Sequence, residues 1–344
     1  MAVNLATSTV DASARRVNRF PAAEFVDALR TVRRPIVLGH VTPDADCLGS
    51  AFGLARSMRS AGVDAKVGLP RDCVASKLTF MLNLAGEVPR VGDWSAAGDR
   101  DAIIIADTAS RNRINLEPPP PIDGDLASFN IDHHITNDDF CRYNWVDPHA
   151  TSTCEMVAVL LRTLNWRIGP EVASLLYSGL HGDTAGFSLP GTNAESLEIA
   201  AELVRAGADV AHVGEQLCRS QGRNVFELLR RVYDHTKVAA DGRIAYSHLS
   251  YQDITESGCK ADDIDDQVSI PRALKGVRLA MLFTEGEPGV VRINLRGEGD
   301  VSVLELAKRF GGGGHTQSAG VRIQGRPLEA VVSEVVAAAD AYLR

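Results

Sequence analysis

No apolar run in the sequence approaches the roughly 18 residues that cross a bilayer, so an integral membrane protein is not expected. The sequence also lacks any C-x-x-C pair. Its six cysteines, at positions 47, 73, 141, 154, 218 and 259, are scattered, which argues against a disulfide framework or a thiolate zinc site and in favour of reduced thiols. Basic residues are not in excess either. A net charge of -8 does not suit a protein that coats long nucleic acid by neutralising phosphates. Membranes and long duplex nucleic acid are therefore not expected partners, and any phosphate must be met by a few local cations or by metals. The first 19 residues lack the continuous apolar segment of a secretion signal and read as a poorly ordered tail, which makes a cytoplasmic location the expectation. No internal repeat is visible.

What is present is globular. With 344 residues, 45% of them hydrophobic and 23% charged, the chain holds enough apolar material for two domains of roughly 100 to 200 residues each. Near-continuous apolar runs at 34–40 (RPIVLGH), 64–70, 101–108 (DAIIIADT) and 126–134 (LASFNIDHH) read as strands covered on both faces, hence a parallel α/β sheet. Helices are expected at 49–62, 151–164, 170–184 and 194–207, and the prolines at 118–121 as an extended loop between strands. From about residue 210 a helical connector leads to a smaller α/β unit. Its strands are expected at 243–250, 277–285 and 289–296, a helix at 301–310 runs into GGGGH, and an alanine-rich helix ends the chain. The expected division is a first domain over 20–215, a connector over 216–240 and a second domain over 241–344.

In open α/β sheets, ligands collect beyond the carboxyl ends of the strands. Four places qualify: His40, Asp44 and Asp46 in GHVTPDADCLGS; Asp107, closing DAIIIAD; Asp132, His133 and His134, closing NIDHH; and Asp183 in HGDT at a helix end. Each has a plain alternative. Asp46 could cap the following helix, Asp107 could close a turn, DHH could be a surface turn, and Asp183 could face solvent. If instead they converge, the carboxylates repel one another unless cations neutralise them, and two divalent metals would supply that charge. Mixed imidazole and carboxylate donors suit Mn, Fe, Zn or Co better than an all-oxygen magnesium site.

HVTPDAD, IIIADT, NIDHH and GLHGDT, taken in that order, resemble the DHH phosphoesterase superfamily, and FGGGGH at 310–315 resembles the signature of its companion DHHA1 domain. Chain size and the short connector look most like the bacterial oligoribonuclease/PAP phosphatase branch. The resemblance implies one manganese on His40, Asp44 and Asp107 and another on Asp46, Asp107, His133 and Asp183, with magnesium or cobalt as other possible ions. It makes His134 the residue facing the scissile phosphate or the leaving group and Asp132 the residue that orients an imidazole. It places Arg292, Asn294 and Arg296, on one face of RINLR, together with Gly312, Gly313, Gly314 and His315 on the substrate's phosphate and nucleotide. The activity implied is hydrolysis of very short RNA to 5'-mononucleotides and removal of the 3'-phosphate from 3'-phosphoadenosine 5'-phosphate (PAP), with nucleotide bisphosphates and short RNA as partners and a homodimer as the assembly. Hydrolysis of linear or cyclic dinucleotides is the alternative activity. A manganese pyrophosphatase would lack GGGGH, and a sensor that no longer catalyses would lack metal ligands. Against the family's HxNPDGDAxGS the sequence departs at Thr42, Ala45 and Cys47.

Overall fold

The computed structural model describes residues 19–70, 73–220, 222–259, 265–314 and 316–344. The tail expected over 1–19 therefore falls outside them except for Arg19, and His315 falls outside as well. The chain divides into two compact units: Met1–Cys73 with Met81–Val210, and Val74–Phe80 with Ala211–Arg344.

The elements up to Arg205 are α1 (Ala23–Thr31), β1 (Pro35–Leu38), α2 (Ala45–Ser60), β2 (Lys66–Gly68), α3 (Thr79–Ala85), β3 (Arg90–Val91), β4 (Ala102–Ala106), β5 (Ala127–Asp132), β6 (Tyr143–Val146), α4 (Thr153–Thr163), α5 (Pro170–Asp183) and α6 (Ala194–Arg205). The six strands form one sheet in the order β3-β2-β1-β4-β5-β6, and every pairing is parallel. Every residue of β1 and β4 is buried, as the unbroken apolar runs PIVL and AIIIA require of strands covered on both faces. Burying an isoleucine such as Ile103, Ile104 or Ile105 stabilises by about 1.5–3 kcal/mol, so this central pair anchors the sheet. The strand order reverses between β1 and β4, and the crevice that ligands use in such sheets opens at that point.

Helix α2 starts at Ala45 rather than at residue 49, because the Asp44 side chain accepts the N–H groups of Asp46 and Cys47 and so caps it. Capping therefore falls to Asp44, not to Asp46. Close approach of α2 to α5 depends on small residues. A Cβ on Gly49 would meet the Leu175 carbonyl at 2.5 Å, and one on Gly53 would meet Leu176 Cδ2 at 2.8 Å.

The remaining elements are α7 (Val210–Arg219), α8 (Arg223–Asp234), β7 (Lys237–Ala239), β8 (Ile244–Leu249), α9 (Tyr251–Ser257), α10 (Ser269–Arg272), β9 (Leu279–Glu287), β10 (Val290–Gly297), α11 (Leu304–Arg309), β11 (Gly313–Gly314), β12 (Ser318–Gln324) and α12 (Leu328–Tyr342). Their sheet runs β11-β12-β10-β9-β8-β7, antiparallel except between β8 and β9. Period-two alternation sends Val291, Ile293 and Leu295 of β10 into a core with Leu306, Val331 and Val335. On the other face Leu228, Leu229 and Val232 of α8 pack with Ala245, Ala280 and Leu282. The helix expected as a connector thus belongs to this unit's own core.

Candidate metal centre

Each expected donor stands where an element ends. His40 follows β1, held there by a bridge to Ile114. Asp107 follows β4 with φ of 55°, a left-handed turn that Asp tolerates better than most residues. Asp132 is the last residue of β5 and Asp183 the last of α5. Asp46 lies in the first turn of α2, and α4 aims its N-terminus at it: Thr153 N–H donates to Oδ2 at 2.6 Å and Cys154 N–H to Oδ1 at 2.8 Å. Gly179 of α5 allows this arrangement, since a Cβ there would stand 2.7 Å from Asp46 Oδ1.

Asp107 is the meeting point. Its Oδ2 lies 3.3 Å from His40 Nε2, and its Oδ1 lies 3.6 Å from His133 Nε2 and 3.7 Å from His134 Nδ1. His133 Nε2 is also 3.2 Å from Asp183 Oδ2 and 3.9 Å from Asp46 Oδ2. Asp44 Oδ2 is 3.9 Å from His40 Nε2. The structure thus gathers His40, Asp44, Asp46, Asp107, His133, His134 and Asp183 in one place, while Asp132 stands behind, its Oδ1 2.7 Å from His134 Nδ1. Three donor groups have atoms within 4.8 Å of one another: His40, Cys47 and Asp107; Asp107, His133 and His134; and Asp46, His133 and Asp183.

The outer partners orient the imidazoles. His40 Nδ1 is 2.7 Å from the Val41 carbonyl and His133 Nδ1 is 3.3 Å from that of Ala150. With Nδ1–H donating to those carbonyls, both Nε2 atoms face the carboxylates, and each can offer a lone pair to a metal once its proton leaves. Proton affinities report the crowding. Burial and then the charge of Asp107 push Asp44 up to about 6, although more than half of its side-chain surface is open (57%). Asp46 is raised well above the usual carboxylate range by burial, then by Asp107 and Asp183. For Asp107 burial works upward, but the imidazoles around it outweigh burial and hold it low. Burial would lower His40 and His133, yet the neighbouring anionic groups raise both. Protons are thus standing in for positive charge. Two divalent cations fit this donor set, because they would replace those protons with fixed charge among oxygen and nitrogen donors.

Several residues of the centre were not among those singled out from the sequence. Thr153 Oγ1 donates to Asp107 Oδ1 at 3.1 Å. Asn137 Nδ2 donates to Asp132 Oδ2 at 2.6 Å and to Asn130 Oδ1 at 2.7 Å, fixing the carboxylate that holds His134. The capping pattern S-x-x-E was available: Ser152 caps α4 by accepting from Glu155 N–H, which places Thr153 at the helix start.

In the second unit, Arg292, Asn294 and Arg296 are half-buried on one face of β10, as alternation requires. Asn294 is opposite Gly320 of β12, and Gly320 is opposite Gly313 of β11, so the glycine segment and RINLR share one end of the sheet. Two of the glycines are needed by the chain itself. A Cβ on Gly312 would meet Ala307 O at 3.1 Å, and Gly314, at φ of 137°, would meet Ser318 O at 2.5 Å. Gly313 is open to solvent. His315 lies outside the described residues.

Two family models match the chain: the N-terminal domain of the DHH family over residues 34–180 and the DHHA1 domain over residues 241–344. The chain is 29% identical over 313 residues to the bifunctional oligoribonuclease and PAP phosphatase NrnA of Thermus thermophilus, covering 91% of each protein. It is 24% identical over 321 residues to the cyclic-di-AMP phosphodiesterase PdeA of Listeria monocytogenes, covering 89% of this chain and 47% of that one. The crystal structure of an exopolyphosphatase-related protein from Bacteroides fragilis superposes with a TM-score of 0.82 at 24% identity, over 94% of this chain and 98% of that one, and so shares the fold.

Proposed function

The chain belongs to the DHH phosphoesterase family, carrying its N-terminal domain and its DHHA1 domain, and from that premise we propose a divalent-metal-dependent hydrolase. It cuts very short oligoribonucleotides to 5'-mononucleotides and removes the 3'-phosphate of PAP to give AMP. The observation that carries this reading is the convergence of three imidazoles on the buried Asp107 carboxylate, with Asp46 and Asp183 across His133 from it. Relatives named for both activities match over nearly their whole length.

His40, Asp44 and Asp107 would hold one cation, and Asp46, Asp107, His133 and Asp183 the other. Such a pair, when bound, lowers the pKa of the attacking water and neutralises charge on the phosphate oxygens. The chain's own groups do the rest. Asp132 fixes the His134 ring through Nδ1, and Nε2 is assigned to a phosphate oxygen or the leaving oxygen. Burial works to lower His134, but Asp132 and Asp107 raise it above 6.5, so the ring can carry the proton that a departing alkoxide needs. Arg292, Asn294 and Arg296, with the Gly312–Gly314 backbone and His315, are assigned to the substrate's terminal phosphate and nucleotide, since guanidinium forks suit phosphate oxygens and a glycine segment lets a ligand approach the backbone closely. Manganese as the resident ion and a dimer as the assembly belong to the same proposal; metal analysis and light scattering test them.

Hydrolysis of linear or cyclic dinucleotides is the second reading, favoured by the likeness to cyclic-di-AMP phosphodiesterases. The deciding experiment offers the manganese-loaded protein di-, tri- and longer oligoribonucleotides, PAP, cyclic dinucleotides and pyrophosphate. Short RNA and PAP should be hydrolysed fastest, and Asp107→Ala should abolish turnover. Preference for pyrophosphate, or undiminished activity in that variant, would overturn the reading.

A further inference from the structure

At the first cation position the structure offers a donor that the motif does not imply. A His40 ring nitrogen, an Asp107 oxygen and Cys47 Sγ lie within 4.8 Å of one another, and all three residues are buried. Asp44 does not join that group. Its Oδ1 is taken by the Asp46 and Cys47 N–H groups at 3.0 Å, while its Oδ2, 3.9 Å from His40 Nε2, is left to meet the same cation beside the sulfur. Cys47 is placed by the first turn of α2 and lies against the end of β1, where a Cβ on residue 39 would overlap its sulfur, so Gly39 makes the room that the thiol occupies. The other buried thiol nearby, Cys154, points elsewhere: its Sγ is 3.5 Å from the Asp46 carbonyl, and it belongs to none of the donor groups found among the described residues.

We propose that Cys47 is a sulfur donor to the cation held by His40 and Asp107, so that this position binds borderline-soft ions such as zinc, cobalt or ferrous iron more tightly than magnesium, whichever ion is resident. The inference rests on the metal centre proposed above. A thiolate beside imidazole and carboxylate is a donor set suited to such ions and poorly suited to magnesium, which demands oxygen. On coordination the cation replaces the S–H proton, which passes to buffer, and no electron is transferred.

Cobalt(II) tests this directly, because a cobalt–thiolate bond gives a near-ultraviolet charge-transfer band that oxygen and nitrogen donors do not. Titrating the metal-free full-length protein with cobalt should produce that band at two metals bound per chain. The band should vanish in Cys47→Ala and Cys47→Ser and persist in Cys154→Ala and Asp183→Ala. Zinc affinity should fall about tenfold or more in Cys47→Ser while magnesium affinity holds. Two bound cobalt ions without the band, or a band that survives loss of Cys47, would overturn the sulfur assignment and leave the metal centre standing. No cobalt binding at all would overturn both. Should Cys47→Ala fail to fold, the wild-type spectrum and the Cys47→Ser and Cys154→Ala variants still decide.

Discussion

Replacing Asp46 and Asp183 one at a time separates a side chain that holds the fold together from one that only meets the donor cluster. Asp46 is fully buried and accepts two backbone N–H groups at the start of α4, at 2.6 and 2.8 Å. In Asp46→Ala both donors are stranded away from water. Each costs about 1–3 kcal/mol, or about 2–6 kcal/mol together. Part of that is returned, because the lost carboxylate was itself held in a desolvated and like-charged setting, as its raised proton affinity records. A net loss of about 2–4 kcal/mol is expected for the metal-free protein. For a unit of this size about 2–4 °C accompanies each kcal/mol, so its melting transition should fall by about 5–15 °C.

Asp183 has no such duty. It ends α5, where the helix dipole disfavours a negative charge; its side chain is 24% exposed and its Oδ2 faces His133. Asp183→Ala removes one of the crowded acids without stranding a backbone donor, so the metal-free stability should stay within about 1 kcal/mol of wild type. Both variants should lose binding at the second cation position. The assay is scanning calorimetry in excess chelator, following the transition of the first unit, with a parallel metal titration. A melting loss in Asp183→Ala equal to that in Asp46→Ala, or none in Asp46→Ala, would refute the reasoning.

Gly179→Ala should destabilise by about 1–3 kcal/mol and weaken metal loading, because its Cβ would sit 2.7 Å from Asp46 Oδ1 and 2.9 Å from Asp46 Cα; thermal scans and metal titration check both. Metal-free stability should fall as pH rises from 6 to 8. His40 and His133 are raised above 6.5, so their contribution is complete below that value and is lost as pH climbs through the raised values. Asp44, raised from 3.8 to about 6, has already lost its share by the top of that range, whereas Asp107, held low, stays ionised across it and adds no slope. Divalent cations should reverse the trend and release protons on binding, which calorimetry in buffers of different ionisation enthalpy would record. Thr42→Asn should stabilise by about 1 kcal/mol, read by chemical denaturation, because Thr42 is β-branched and held at φ of 56°. Asn137→Ala should lower kcat about tenfold or more with little change in KM, because it frees the carboxylate that orients His134.

The strands that carry the site were legible because a doubly covered parallel strand is an unbroken apolar run, and here each run stops at the acid or imidazole that matters. RPIVLGH, DAIIIADT and NIDHH all follow that rule. Short or mixed segments did not declare themselves: Arg90–Val91 and Tyr143–Val146 are held by their sheet neighbours, not by their own pattern. The choice between Asp44 and Asp46 as helix cap was beyond local rules. Either acid satisfies a capping preference, and only the arrival of the α4 N-terminus, more than a hundred residues later, claims Asp46 for another task. Thr153 and Asn137 are ordinary helix-start and turn residues until their partners are known. The glycines before His315 were read as ligand-facing, yet Gly312 and Gly314 are also required by the pairing with β12.

That long reach explains why the centre depends on helix packing as much as on strand ends. His40 and Asp107 are set by neighbouring strands, β1 and β4, whose pairing is fixed in register from Pro35↔Ala102 to Leu38↔Ile105, so their separation is stiff. Asp46 and Asp183 come from α2 and α5, and their distance from Asp107 is set by how closely those helices approach through Gly49, Gly53 and Gly179. Bulk that pushes α5 away from α2 should therefore displace Asp183 and disturb the position it holds with Asp46 and His133, while sparing the one held by His40 and Asp107, to which α5 contributes no side chain. Partial loading, with one cation retained per chain, is the outcome that distinguishes this arrangement from a centre built on loops alone.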